Sequence, residues 1–468
     1  MAMNKNLSYF MSRVQGVSNQ VLRIEAQNTS TATPNQTITF NLPSNTLLSM
    51  KSLAMHCSAS TTGAVAGARL PPIESLVDRY EIRAGGICIS QGFSQYNVLR
   101  QAKEVLTKTK RDSVLSHPEY CRAIKYTDGQ ALAGTANEVY ADTAGQTQFA
   151  IKFEDAFLGT ASPNILDVSL LPDISIHVYL AGPEVISSVA GVSLDGTTAT
   201  GRITQAGAGG VSFALKNISL TVEVIGLASG ALEAITERRI AEVGFIEIPF
   251  KQYFSYSDTH SGSTRFSVST QSLDRVWVVH RSAGYDAQGA LVRVKGYKRA
   301  GAMTAIGNTL ATVGSTPTDV DKFTQDVGRS EYENLETSGE RYLGKYFNFT
   351  LNGANTTHQL QLNGSYFPGF KATVPEMYEI TRNSVEGSDV ATNMSLQQYK
   401  ENFAVMCVRL NLPDSEAQAS ISGIDTRGIS MMGHYNTTGV TTGSNVTLFL
   451  ECSSTLRVGP SRTLSVES

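Results

Sequence analysis

The 468-residue chain has no apolar run approaching the ~20 residues that cross a bilayer. Its opening residues, MAMNKNLSYFMSRVQG, never form the continuous apolar stretch of a secretory leader. A protein made in the cell interior and not secreted is expected. The five cysteines (Cys57, Cys88, Cys121, Cys407, Cys452) are odd in number, widely spaced and free of CxxC. That argues against a disulfide framework and leaves buried reduced thiols acting as small hydrophobes. Basic residues are not in surplus: 38 Lys and Arg against 41 Asp and Glu give a net charge of −3. No global field favours wrapping nucleic acid, and Lys5 and Arg13 do not make an Arg-rich arm. Direct, specific nucleic-acid binding is not expected.

Signatures of chemistry are also missing. The seven histidines (His56, His117, His177, His260, His280, His358, His434) show no HxxxH or HxH spacing. GxSxG, GxxxxGKS/T and GxGxxG do not occur, and the glycines at 207–210 sit in a loop with no phosphate-binding helix after them. Asp155 in FEDAF reads as the start of a helical turn and Asp425 in SGIDTRG as a turn cap, not as a carboxylate pair. No catalytic residue, metal or cofactor is expected, and the chain is read as a non-enzyme.

What is abundant is turn and strand material: 40 glycines with many Ser, Thr and Asn. Thr39–Leu53 (TFNLPSNTLLSMKSL) recurs in form at Thr264–Val279 (TRFSVSTQSLDRVWVV). At one constant offset (266 − 40 = 226), Phe40 aligns with Phe266, Leu47 with Leu273 and Met50 with Val276. Each copy is a short alternating strand, a polar turn and a second apolar run. Further features recur in the same order. The hairpin at Val77–Ile89, turning at Ala84-Gly85-Gly86, is echoed at Leu360–Phe367, with Tyr80 set against Leu360. A helix at Ser94–Thr107 is echoed by one at Pro375–Val385, and FAIKF at 149–153 by Phe403–Leu412. The residues predict an arm at 1–19, a first β-domain at 20–230, a connecting helix at 231–242 and a second β-domain at 243–468. The second carries a large insertion at 286–340. Residues 108–146 are expected as a polar loop with at most one strand. The closing strands are expected at Gly428–Tyr435 and Val446–Leu450.

About eight strands per half, with one early helix, suit two tandem eight-stranded jelly-roll sandwiches in an all-β chain with long loop insertions. On FNLPSNTLLSMKSL, the YEIRAGG hairpin with its SQYNVLRQAKEVL helix, and SGIDTRG followed by NVTLFLE, the sequence resembles double jelly-roll major capsid proteins of icosahedral double-stranded DNA viruses. The look is that of the polinton-like virus and virophage kind, and the resemblance is spread over the whole chain. It implies a homotrimer of pseudo-hexagonal outline that tiles a virion shell, with loops forming outer towers. Neighbouring capsomers, penton proteins and minor or cement proteins are the implied partners, and some members of the family enclose an inner membrane.

Two further readings are carried. A glycan-active hydrolase on paired β-sandwiches would need two carboxylates across an aromatic groove, which one tryptophan serves poorly. A receptor-binding surface protein would concentrate its contacts in the loops at 183–210 and 300–340. Candidate interface or anchor residues are few. Leu7, Phe10, Met11 and Val14 share one helical face of the arm, suited to a neighbouring subunit or a membrane. Trp277 occupies the solvent or partner side of its strand if Val276 and Val278 point inward.

Overall fold

The computed structural model describes residues 17–107, 124–125, 147–188, 212–227, 238–293, 341–412 and 422–467, apart from interruptions of up to ten residues. The first half contains β1 (Val17–Glu25), β2 (Thr31–Ala32), β3 (Thr37–Asn41), β4 (Leu47–Thr62), β5 (Ala68–Arg69), β6 (Val77–Ala84) and β7 (Ile87–Ser90). Helix α1 (Tyr96–Thr107) follows, then β8 (Ile124–Lys125), β9 (Thr147–Lys152) and the helical turn α2 (Ala156–Thr160). β10 (Ile165–Asp167), β11 (Ile174–Leu180), β12 (Ser187–Ser188) and β13 (Ser212–Leu227) complete it. One sheet runs β1-β13-β4, with β9 and β10 both against the far edge of β4; the other runs β3-β11-β6-β7. With β9 and β10 taken as one broken strand, the principal strands in chain order are arranged 1-8-3-6 over 2-7-4-5. That is the jelly roll, two interlocked Greek keys.

The second half repeats the plan. It contains β14 (Ile246–Thr259), β15 (Ser263–Ser267), β16 (Leu273–Arg281), β17 (Leu291–Arg293), β18 (Arg341–Gly344), β19 (Thr357–Leu362) and β20 (Ser365–Thr373). Helix α3 (Val374–Ser384), β21 (Val405–Arg409), β22 (Met432–Thr438), β23 (Asn445–Val458) and β24 (Leu464–Glu467) follow. Its sheets, β14-β23-β16-β21 and β15-β22-β19-β20, give the same 1-8-3-6 over 2-7-4-5 order.

The repeat read from the sequence is therefore a repeat of structure. The starts of β3 and β15 are related by the sequence offset (263 − 37 = 226), and so are those of β4 and β16 (273 − 47 = 226). In both copies the polar turn carries the chain from one sheet of the sandwich to the other. Phe40 and Phe266 are both buried, on strands whose inward residues alternate with half-buried or exposed ones. The second hairpin is registered differently from the expected offset of 280. Its turn, Asn363-Gly364, follows Gly85-Gly86 at a smaller offset (363 − 85 = 278), and α3 follows α1 at the same one (374 − 96 = 278). A slip by two positions leaves every side chain on the same face, because strands have period two. All four turn residues have positive φ, which glycine and asparagine tolerate in tight hairpins.

Two closing strands differ from their expected bounds. β22 is displaced to Met432–Thr438, and β23 runs on well past Leu450. The polar pair Ser453-Ser454 looks like a strand end but is satisfied by neighbouring side chains. Ser454 Oγ donates to Gln252 Oε1 at 3.0 Å and Ser453 Oγ to Asp274 Oδ2 at 2.6 Å.

Within the expected connecting helix, Arg238 and residues 240–243 are helical and the remainder lies outside the described residues. Of the long insertion, β17 and β18 frame the stretch 294–340, which is outside the described residues. β18 pairs with both β17 and β8, so a small sheet joins this insertion to the polar segment of the first half. Among the described residues no helix is long and apolar enough to cross a membrane.

Each sandwich is held by its inner faces. Ile38, Phe40, Leu48, Ile176, Val178 and Leu220 fill the first; Val276, Leu448, Leu450 and Leu360 fill the second. Full burial of one such side chain contributes about 1.5–3 kcal/mol, so the two cores carry the fold.

Candidate functional site

The two sandwiches meet at a seam, and its composition explains an oddity of β16. Every residue of that strand is buried, where a sheet with one wet face would alternate. Val276 and Val278 face the sandwich interior, and the opposite face lies against the first jelly roll. Phe93, just before α1, packs against Phe449 and Tyr253 with ring centroids 5.7 and 5.2 Å apart. Phe157 of α2 meets Phe250 edge-on at 5.1 Å. Backbone joins backbone as well: Ser162 N–H donates to Pro249 O at 3.0 Å, and Lys251 N–H to Thr160 Oγ1 at 2.8 Å.

Polar groups fix the register of this apolar contact. Lys103 Nζ of α1 donates to Asp155 Oδ1 at 2.5 Å within its own half and to Tyr253 Oη at 2.8 Å across the seam. Arg281 Nη2 crosses in the other direction, donating to Gln95 Oε1 at 2.6 Å. Its guanidinium lies over the Tyr285 ring at 3.8 Å. Glu451 accepts from Arg275 Nη1 at 3.0 Å and from Trp277 Nε1 at 3.1 Å. Burial by itself would push the Glu451 carboxyl up. The facing Arg275, Lys103 and Lys251 charges and the indole N–H outweigh it and hold the group below the usual carboxylate range.

Trp277 points to the expected side of its strand, but the space there is already filled. It is only 2% exposed, and its neighbours are Glu451 and the first jelly roll of the same chain, including Lys103 5.7 Å from its ring. It is an anchor between halves of one chain. Leu7, Phe10, Met11 and Val14 lie outside the described residues.

Among the described residues, nothing covers the corresponding face of the first jelly roll. In the second, Tyr253, Glu451 and Arg275 lie in register across β14, β23 and β16, with Trp277 two residues further on. In the first, Val21, Glu223 and Ser49 hold the same places across β1, β13 and β4, with Lys51 two residues further on. The set in the second jelly roll is buried throughout. In the set of the first, Val21 is 70% exposed, Lys51 is exposed, and Ser49 and Glu223 are half-buried.

No carboxylate pair is assembled from the two aspartates weighed in the sequence. Asp155 is buried in the seam with Lys103, while exposed Asp425 accepts from the Arg427 backbone N–H at 2.9 Å and from its guanidinium. Among the described residues no cluster of His, Cys, Asp and Glu is arranged to hold a metal ion. Of the loops proposed for receptor contact, only residues up to 188 are described. The fold does unite three histidines that spacing left scattered: His260, His280 and His358 gather around Tyr435 inside the second sandwich. Their partners come from strands of both sheets, so no local spacing signals them.

No family model matches the chain, and no curated protein sequence matches it. Solved structures do match over nearly its full length. PBCV-1 VP54, a crystal structure fitted into a reconstruction of the virophage Sputnik, superposes with TM-score 0.56 at 13% identity, covering 99% of each chain. Faustovirus major capsid protein gives TM-score 0.53 at 12% identity, covering 98% of this chain and 93% of its own. A chain of the Sputnik virophage structure gives 0.50 at 11% identity, covering 100% and 92%. Two tandem jelly rolls, matched over their full span at such low identity, place this chain within the double jelly-roll fold that these viral capsid proteins share.

Proposed function

We propose that the chain is the structural subunit of an icosahedral virion shell, acting by assembly and not by catalysis. The observation that carries this reading is the difference between the two equivalent sheet faces. The seam inside the chain is head-to-tail: the α1 side of one sandwich covers the β14-β23-β16 face of the next. Repeating that contact between chains sets the α3 side of one copy on the β1-β13-β4 face of another. Heterologous contacts of this kind generate rings when the rotation closes. Three chains supply six sandwiches, hence a closed homotrimer of pseudo-hexagonal outline.

The surfaces to be joined have suitable chemistry. Beside α3, Phe370 is 52% exposed and Glu376 and Glu379 are exposed carboxylates. The receiving face presents Val21 and the cation Lys51. Such trimers would tile with neighbouring capsomers, with penton and minor or cement proteins closing the shell. Leu7, Phe10, Met11 and Val14 of the arm would lie against an adjoining subunit or an inner membrane. Negative-stain images of the purified protein test the reading. Hexagon-outlined particles or whole shells are expected; dispersed two-lobed monomers at high concentration would overturn it.

A further inference from the structure

The histidine cluster of the second sandwich has no part in the seam or in the proposed ring. His280 on β16 and His358 on β19 come from opposite sheets, and both reach the hydroxyl of Tyr435 on β22. His280 Nε2 lies 2.8 Å and His358 Nδ1 2.6 Å from that oxygen. His260, just after β14, stands edge-on to His280 at 5.6 Å and bonds Thr264 Oγ1 at 3.1 Å and Thr437 Oγ1. All four side chains are buried.

The hydrogen-bond inventory closes with neutral rings, and the Tyr435 hydroxyl keeps an imidazole acceptor only while at least one of the two rings is neutral. One hydroxyl donates to one imidazole nitrogen and accepts from an N–H of the other, so Tyr435 satisfies one acceptor and one donor. The outer nitrogens, His280 Nδ1 and His358 Nε2, have no hydrogen-bond partner among the described residues. Beside His358 lies a void of about 10 Å³, lined by Gln359 and Tyr435 and by apolar groups that include Val276, Phe367, Met377 and Met406. That is room for one water at most. A proton on each ring would place two like charges with ring centroids 6.0 Å apart, turn both Tyr435 contacts into acceptor sites, and leave the tyrosine proton facing only Met406 Sδ at 3.5 Å.

Compensating charge is scarce around the cluster. From the end of β14, Asp258 acts on His260. From the segment before β21, Tyr399 faces Tyr435. The elements β15, β21 and α3 present Thr264, Met406 and Met377. Arg281, next to His280 on β16, points away into the seam. Among the described residues no carboxylate acts on His280 or His358.

We propose that this cluster is an acid sensor: proton uptake by His280 and His358 sets two buried like charges against one hydroxyl, destabilises the Tyr435 bridge between the two sheets and opens the second jelly roll. Burial first, and then the neighbouring histidines, hold His280 well below the ordinary imidazole value of 6.5 and His358 down to about 3. These groups therefore take up protons on unfolding. Their contribution to stability is complete above pH 6.5 and is lost as pH falls towards the folded-state values. With two histidines, the folded-to-unfolded ratio drops about a hundredfold per pH unit below about pH 6. If the chain forms a shell, as proposed above, acid loosens that shell from within its subunits.

Urea unfolding of the full chain at pH 7, 6 and 5, followed by fluorescence of its single tryptophan, Trp277, tests the sensor against the double variant His280→Gln, His358→Gln. The wild type is expected to lose about a hundredfold more of its folded-to-unfolded ratio between pH 6 and 5 than the variant. Parallel pH profiles would overturn the proposal. Should the variant fail to fold, deuterium exchange at each imidazole C2–H of the wild type gives the individual titrations. Midpoints for His280 and His358 below about pH 5 support the sensor, and midpoints near the free value of about 6.5 refute it. Both measurements read the chain's own folding, so they stand apart from whether it builds a shell.

Discussion

The two jelly rolls share a topology, but the outward face of one sheet differs between them. In the second, Tyr253, Glu451, Arg275 and Trp277 form a buried, hydrogen-bonded layer against the first. In the first, Val21, Glu223, Ser49 and Lys51 occupy the same places, with Val21 and Lys51 exposed and Ser49 and Glu223 half-buried. Among the described residues, two topologically equivalent faces thus differ, one covered and one open. The buried version had to acquire partners for its charges, because an unpaired buried ion is costly. The open version kept small and charged residues that water or a second chain can meet.

Substitutions at equivalent positions should sharpen this contrast. The largest effect is expected from Glu451→Ala, which removes the carboxylate facing Arg275 Nη1 and the acceptor for the Trp277 N–H. Urea unfolding should show a loss of about 3–5 kcal/mol. Glu223→Ala, its counterpart in the first sandwich, should stay within about 0.5 kcal/mol. Equal losses would break the comparison. Lys103→Met comes next. It keeps the aliphatic stem but deletes the bonds to Asp155 and Tyr253, and should cost about 1.5–3 kcal/mol. The loss should appear as earlier separation of the sandwiches, read by limited proteolysis between them.

Acid should act on the seam more gently than on the histidine cluster, and at lower pH. Glu451 titrates below its ordinary value of 4.5, so its contribution is complete above that pH and is lost as pH falls through the lowered folded-state value. The difference in stability between wild type and Glu451→Gln should therefore be constant at neutral pH and shrink only in strong acid. The smallest effect on folding is expected from Val21→Asp with Lys51→Glu, about 0.5 kcal/mol for each surface change. Their effect on association should be large.

The sequence revealed whatever depends on local periodicity. Alternation in ISIHVYL, the glycine turn at 85–86 and the repeated Phe40 and Phe266 stretches are read from neighbours in the chain, and the strands, hairpins and both helices followed. The side on which Trp277 lies was legible for the same reason. Its partner was not, since Lys103 and Glu451 are brought to it by packing between sandwiches. β23 extends beyond its sequence signal because Ser453 and Ser454 resemble a strand end until their partners on other strands are known. The histidine cluster was illegible altogether. His260, His280, His358 and Tyr435 are joined only when the two sheets close on each other.

The most direct test of the account is the mass in solution, by light scattering, of the wild type beside the variant carrying Val21→Asp and Lys51→Glu. Three times the chain mass for the wild type and a folded single chain for the variant are expected, because the open face of the first jelly roll is taken to be the receiving side of the ring. A wild type that remains monomeric, or a variant that assembles as readily as the wild type, would contradict that assignment.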